Sequence, residues 1–205
     1  ATMENFDRHM DEDGVNLLIY PEGIGGIGKG FNRRYEVQWI STSMIRMSIE
    51  HKADIVLVST VGGEYINPLS YSFDTINTLA QKLGVPFVPV GPSLGFVVAQ
   101  PWMTWFAFPA KLTFVRGQKF KPYEMVGDRA LGEVSEREVR DIRDKIHEAM
   151  QAELDEAVAS YGEKPFDVEE LAKAMLENIK ELHLFFPVFW PLLFWETEHH
   201  NREYP

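Results

Sequence analysis

The sequence predicts an α/β fold, in which a mixed, partly parallel sheet is flanked by helices and followed by a helical and aromatic C-terminal extension. Three apolar runs bounded by turn residues have the composition of buried strands: VNLLIY (15–20), DIVLVSTV (54–61) and PAKLTFVRG (109–117). Helical spacing within residues 35–52 places one set of side chains on a single face: Val37, Ile40, Met44, Met47 and Ser48. A strand, a helix and a strand of these lengths predict a parallel pair with a right-handed crossover.

Further helices are predicted on either side of these strands. A short one lies in ATMENFDRHMDEDG, and another spans 73–83 and ends at Gly84. Prolines prevent a regular helix across the aromatic segment 85–109.

The C-terminal part of the chain is predicted to be helical as far as residue 183. A helix over 135–161 begins at a capping box of Ser135 and Glu138. It carries one apolar stripe: Val139, Ile142, Ile146, Met150, Leu154 and Val158. After the break YGEKPFD, a final helix spans 168–183. We therefore expect an α/β domain over 1–161, and a helix with an aromatic membrane- or partner-docking segment over 162–205.

Composition excludes several classes of function. The net charge of −11 argues against a surface that binds nucleic acid. The absence of cysteine excludes disulfides, thiolate nucleophiles and Cys-ligated zinc, and it favours a cytoplasmic location. The histidines are scattered apart from His199 and His200 near the chain end, so we expect no metal. No apolar run reaches the roughly 18 to 20 residues needed to cross a bilayer.

The glycine-rich stretch YPEGIGGIGKGF (20–31) permits two interpretations. From Gly23 it satisfies G-x-x-x-x-G-K, but Gly30 stands where a nucleotide-binding loop needs Ser or Thr to hold magnesium. The apolar strand nearby is also not followed by the Asp that such a site requires. A nucleotide-binding loop is therefore the remote alternative. The other interpretation starts from an apolar strand that ends in Tyr-Pro-Glu-Gly.

The segment LLIYPEG resembles a sequence block of the glycerolipid acyltransferase superfamily. Further segments follow in the order found in its monoacylglycerol and diacylglycerol acyltransferase-like branch: RRYEVQW, SMIRMSIEHKADIVLVSTVGGE, LGVPFVPVGP and FPAKLTFVRGQKF. The resemblance covers roughly Asp13 to Tyr161. It implies an acyltransferase-like fold and transfer of a fatty acyl group to a glycerolipid hydroxyl, with acyl-CoA or acyl carrier protein as co-substrate and no other cofactor.

The resemblance also implies a catalytic His followed five positions later by an Asp, upstream of the PEG block. His9 and Asp13 are only four positions apart and lie too close to that block, so this chain offers no catalytic residue. We expect either the C-terminal part of such an enzyme, with an N-terminal segment missing, or a member that has lost catalysis. A non-catalytic lipid- or partner-binding module of the same fold is the alternative function.

Four residues are predicted to bind substrate. Glu22 and Gly23 follow the predicted strand, at the end where open α/β sheets bind ligands, and Glu22 would orient the acceptor or pair with a cation. Arg33 and Arg34 carry forked donors suited to a phosphate of the acceptor or of coenzyme A. The structural alternatives are a carboxylate that braces the turn and arginines that are simply solvated.

The segment LFFPVFWPLLFW (184–195) has six aromatic residues in twelve positions. It is too short to span a bilayer and has the composition of an interfacial anchor, so we expect a peripheral membrane protein. A packed C-terminal clasp or a contact in a homo-oligomer is the alternative.

Overall fold

The computed structural model describes residues 3–10, 16–88, 90–99 and 108–180. They form a mixed α/β structure. The helices are α1 (Met3–Met10), α2 (Ile24–Gly28), α3 (Ser43–His51), α4 (Asp74–Lys82), α5 (Pro92–Ala99), α6 (Pro122–Met125), α7 (Glu136–Tyr161) and α8 (Val168–Glu177), and the strands are β1 (Ile55–Val61) and β2 (Thr113–Phe120).

Contacts group the chain into two interleaved units. The first comprises Ala1–Ile27, Tyr35–Thr60 and Phe114–Ala159, and the second Gly28–Arg34, Val61–Thr113 and Ser160–Pro205. The expected boundary between residues 161 and 162 stays a prediction.

The core of the first unit is built on α7. Its predicted stripe is confirmed, with Val139 and Ile146 fully buried and Met150 partly so. The stripe packs on buried side chains of α3, β1 and the neighbouring loops: Ile40, Met44, Ile45, Met47, Ile49, Leu57, Val126 and Val134. Full burial of one such large aliphatic side chain stabilises the fold by about 1.5 to 3 kcal/mol. This unit therefore depends on the apolar face of α7.

The predicted capping box starts α7. The Glu138 backbone N–H donates to Ser135 Oγ at 3.3 Å, and Glu138 Oε2 accepts from the Ser135 backbone N–H at 3.0 Å. Arg129 also donates to Glu138 through its guanidinium. The Ser135 hydroxyl also donates to Glu138 Oε2, at 2.8 Å. The hydrogen bond from Arg129, and then those that the backbone N–H and the hydroxyl of Ser135 donate to the carboxylate, lower the pKa of Glu138 from 4.5 to about 2.

The predicted helix over 35–52 is wrong in its first third. Residues 36–41 have no regular secondary structure and α3 begins at Ser43, although Ile40, Met44, Met47 and Ser48 are buried as expected. The reason lies on α7, where His147 and Gln151 hydrogen-bond to the backbone of residues 35–38. A backbone that is held in this way cannot also form helical hydrogen bonds.

The predicted parallel pairing is wrong in the part of the chain that the structure describes. There β1 pairs with β2 in an antiparallel sheet. Lys119, near the end of β2, accordingly contacts Asp54, just before β1, at 2.8 Å. Residues 16–20, most of the strand that is predicted to pair in parallel with 54–61, are assigned to no strand, and Leu18 and Tyr20 are 74% and 78% exposed.

The other two predicted strands are present, and the second of them lies further along the chain than predicted. The strand predicted over 54–61 is confirmed as β1, whereas that predicted over 109–117 is observed as β2. The shift has a local cause. Ala110 forms a bridge with Phe166, and the Lys111 N–H donates to the Pro165 carbonyl at 2.8 Å.

Within the second unit, isolated β-bridges hold three separate segments of the chain together. Gly30 pairs with Tyr71, which also pairs with Val90. Asn32 and Ser72 exchange two hydrogen bonds of 2.8 Å. Gly30 has a φ of +70°, and a Cβ there would lie 2.5 Å from the Ser72 nitrogen, so only glycine fits.

Two predicted helices of the second unit are found, together with one that is not predicted. The predicted 73–83 helix is confirmed as α4. The expectation that prolines prevent a regular helix across 85–109 is wrong for Pro92–Ala99, which form α5, because the fixed φ of proline suits a first helical position. The predicted final helix is α8, which ends at Glu177. Residues 181–183, 100–107 and the predicted anchor 184–195 lie outside the described residues. Among the residues described, no helix combines the length and apolarity needed to span a membrane.

We predict that Glu138→Gln destabilises the protein in a pH-dependent way. Because folding lowers the pKa of Glu138 to about 2, its contribution to stability is complete above pH 4.5 and is lost as the pH falls towards 2. The variant should melt below wild type at pH 7 and approach wild type near pH 3. Glu148→Gln, exposed on the same helix, is the control. A melting-temperature difference that is equal at pH 7 and pH 3 would contradict this assignment.

Candidate functional site

Glu22 lies in a tight turn of the first unit. The Gly23 N–H donates to the Tyr20 carbonyl at 3.0 Å, and Gly23 adopts a positive φ of 55°. The half-buried Glu22 side chain folds back over α2. A Cβ on Gly26 would lie 2.8 Å from Glu22 Oε2, so glycine at position 26 makes room for the carboxylate.

The carboxylate of Glu22 is held by the irregular segment 35–38. Its Oε1 accepts a short hydrogen bond from the Gln38 backbone N–H. The same segment is fixed from the other side by α7. His147 Nε2 donates to the Gln38 carbonyl at 3.1 Å and lies 3.3 Å from the Val37 carbonyl. Because both partners are carbonyl oxygens, Nε2 must carry the hydrogen.

Gln151 adds two further contacts to this segment. Its Oε1 accepts from the Val37 N–H at 2.8 Å, and its Nε2 donates to the Tyr35 carbonyl at 2.9 Å. A chain of hydrogen bonds thus runs from α7 through the backbone at Gln38 to the carboxylate of Glu22. The rigid helix determines where that carboxylate lies.

In the second unit, Lys29 of the glycine-rich stretch pairs with Glu64. The Nζ to Oε1 distance is 2.9 Å, and the side chains are only 11% and 16% exposed. Glu64 therefore compensates the lysine charge that a nucleotide-binding loop would direct at a phosphate. This arrangement gives the nucleotide interpretation no support.

Arg33 and Arg34 lie next to each other but have different surroundings. Arg33 Nη1 is 3.2 Å from Asp74 Oδ1 at the start of α4. The guanidinium of the exposed Arg34 lies 4.9 Å over the ring of Phe31. Phe31 in turn packs edge-on against Tyr65 at 5.1 Å between ring centroids. Arg34 thus presents a stacked cation to solvent.

The structure places the four predicted site residues in two separate pairs. Glu22 and Gly23 share one turn of the first unit, and Arg33 and Arg34 belong to the second.

Sequence reasoning missed the supporting residues. His147 and Gln151 are spaced i and i+4 beside the apolar stripe of α7, which was the available signal, but their backbone partners are more than a hundred residues away. The contact of Lys29 with Glu64 joins two of the motifs quoted above, yet their spacing does not reveal it.

One group in the first unit has ligand types that metals use. Ligand atoms of Asp7, Glu50 and His51 lie within 4.8 Å of one another. His51 Nε2 is 3.1 Å from Asp7 Oδ1, which a hydrogen bond explains, and Glu50 is exposed. We assign no metal to this group.

Comparisons with known proteins give sequence relatives of undefined function. No family model and no solved structure matches the chain. An uncharacterized protein of Mycobacterium leprae is 37% identical over 80 residues, which cover 38% of this chain and 21% of the relative. Uncharacterized proteins of Mycobacterium bovis and Mycobacterium tuberculosis are 32% identical over 80 residues, covering 38% of this chain and 22% of each relative. The chain thus matches less than a quarter of the length of these relatives.

We predict that Gly26→Ala displaces the Glu22 carboxylate, whereas Gly25→Ala does not. The added methyl group meets Glu22 Oε2 in the first variant and only an ordinary contact of 3.9 Å, with Gln38 Cβ, in the second. Hydrogen bonds to charged groups contribute about 1.5 to 3 kcal/mol, so the Gln38 amide should exchange at least about tenfold faster in Gly26→Ala. Hydrogen exchange measured by NMR tests this, and equal exchange in both variants would refute the geometry.

Proposed function

We propose that this chain is the substrate-binding part of a glycerolipid acyltransferase, with an acyltransferase-like fold. The reaction moves a fatty acyl group from acyl-CoA or acyl carrier protein to a hydroxyl of a glycerolipid. Support comes from the ordered motifs and, above all, from the positioning of one carboxylate, Glu22, by a hydrogen-bond chain that begins on α7. The His and Asp that activate the hydroxyl are not among the residues of this chain.

Glu22 is suited to orient an acceptor. Its Oε1 is occupied by the Gln38 N–H, which fixes the rotation of the carboxylate and leaves Oε2 on the side of Gly26. A carboxylate oxygen held in this way accepts a hydrogen bond from an acceptor hydroxyl without a further ordering cost. Such positioning contributes to acyl transfer when a separate His acts as general base.

Arg34 is suited to bind a phosphate. Stacking on Phe31 orders the long side chain before a ligand arrives, and the exposed guanidinium keeps its donors available to solvent. The phosphate would belong to the coenzyme A moiety of the donor or to a glycerol phosphate acceptor. Arg33, which is paired with Asp74, would act mainly in holding this segment.

The alternative is a lipid- or partner-binding module without catalysis. The observation that favours it is the lack of any His followed five positions later by Asp in the sequence. The two functions separate in an acyl-transfer assay of the natural protein with acyl-CoA and a panel of lysophospholipids and acylglycerols. Transfer to one acceptor class supports the enzyme, and ligand binding without any transfer supports the module.

We predict that Glu22→Gln, introduced into the natural protein, lowers the turnover of acyl transfer while leaving thermal stability nearly unchanged. The amide oxygen of glutamine still accepts from the Gln38 N–H, so the turn is preserved, but the charge that orients the acceptor is lost. Loss of one charge-assisted hydrogen bond, about 1.5 to 3 kcal/mol, corresponds to a decrease in kcat of roughly 10- to 150-fold.

Steady-state kinetics and thermal melting test the role of Glu22 together. Glu50→Gln, an exposed residue of the same unit, is the control. Normal kinetics in Glu22→Gln, with a lower melting temperature in Glu22→Ala, would show that Glu22 only braces the turn.

We predict that Arg34→Gln weakens the binding of coenzyme A about tenfold or more, because one charge-assisted contact to phosphate is removed. Titration calorimetry of the 205-residue chain with coenzyme A measures the affinity. Arg137→Gln removes the same charge from an 88% exposed side chain on α7 and should leave the affinity unchanged. Equal losses in both variants would mean that only net charge matters.

A further inference from the structure

Helix α8 presents an apolar stripe to solvent. Four side chains follow one another at intervals of four, four and three residues along one line of the helix and the turn after it: Val168, Ala172, Leu176 and Ile179. Val168, Leu176 and Ile179 are 67%, 71% and 64% exposed. With Met175, the last three of the four also line a shallow apolar depression. The stripe is thus a continuous apolar surface rather than a set of scattered exposed residues.

The stripe is distinct from the side of α8 that is partly covered. Leu171, Ala174 and Met175 are half-buried and lie about a quarter turn to the other side of the helix. The opposite face is charged: Glu169, Glu170, Lys173 and Glu177. The helix therefore has a covered side, an exposed apolar line and a charged face, which is the pattern of a helix that lies on an apolar surface.

A second copy of the chain is a poor occupant for this surface. A side chain of Val, Leu or Ile buries about 60 to 120 Å², so the four residues and Met175 supply at most about 600 Å². A stable protein interface buries about 800 Å² on each partner. The net charge of −11 also makes two copies repel each other.

A lipid surface fits better, because a membrane can bury the apolar side chains of the stripe without offering a matching protein surface. The apolar stripe ends at Ile179, and only four residues separate it in the sequence from the aromatic run 184–195. The two tracts are therefore neighbours in one stretch of chain. Tryptophan, which occurs twice in that run, is enriched where a bilayer meets water.

We propose that the exposed stripe of α8 inserts into the outer layer of a membrane, with the helix axis parallel to the bilayer and the charged face in water. This inference rests on the proposed function in one respect: membrane binding would bring the chain to its lipid acceptor. Membrane binding by α8 holds or fails independently of acyl transfer. Because the chain is acidic, the partner is a neutral, phosphatidylcholine-rich surface, and binding should weaken little with added salt.

The absence of native cysteine allows a direct test on the full chain. An environment-sensitive fluorophore is attached at Leu176→Cys, on the stripe, and at Glu170→Cys, on the charged face, as the matched control. With phosphatidylcholine vesicles, the Leu176→Cys probe should brighten and be quenched by nitroxide-labelled lipid, while the Glu170→Cys probe should do neither. In a lipid titration, Leu176→Gln with Ile179→Gln should lower the partition coefficient at least tenfold.

Both glutamine substitutions replace exposed side chains, so circular dichroism and melting temperature should match wild type. Quenching that is absent at Leu176→Cys, or equal at both positions, would overturn the proposal. So would a change in Leu176→Cys fluorescence that follows protein concentration without lipid, since that result assigns the stripe to a second copy. An active acyltransferase with no quenching would refute this inference alone, whereas quenching without acyl transfer would refute only the proposed enzyme.

Discussion

The hydrogen bonds from α7 to the irregular backbone at residues 35–38 fix the part of the first unit that holds the candidate site. They keep a segment whose side-chain pattern is helical out of a helix, and they place the Gln38 N–H where it binds Glu22. The apolar stripe of the same helix holds α3 and β1. One face of α7 therefore builds the core, and two polar side chains at its margin position the carboxylate. A change in the pitch or length of α7 would alter both at once.

The parts of the fold that sequence predicts well are those in which local signals agree. α7 has a capping box, a regular apolar stripe and a charged outer face, so its bounds are predictable to within one residue. β1 is a short apolar run between turn residues, and it too lies where expected. These elements need no knowledge of distant contacts.

The parts of the fold that sequence predicts badly are those whose conformation depends on contacts with residues far away in the chain. Residues 35–52 have helical periodicity throughout, yet side chains more than a hundred residues away hold the first third in a non-helical conformation. The direction of β2 relative to β1 is not encoded in either run. Glu22 and Arg34 can be proposed as ligands from their motif, but His147 and Gln151 carry no motif at all. Candidate ligands were thus more visible in the sequence than the residues that position them.

The charge of the chain constrains how the proposed anionic donor could bind. With a net charge of −11, the long-range field would repel acyl-CoA, so the affinity proposed for it would have to come from short-range hydrogen-bond donors. Lys29 already compensates Glu64, and Arg33 lies beside Asp74. Arg34 is held by an aromatic ring instead, and such a contact orients the guanidinium without neutralising its charge. In an acidic protein, a cation stacked on a ring is therefore the better candidate for the proposed phosphate site, and Arg33 and Arg34, although neighbours in one motif, are proposed to have different roles.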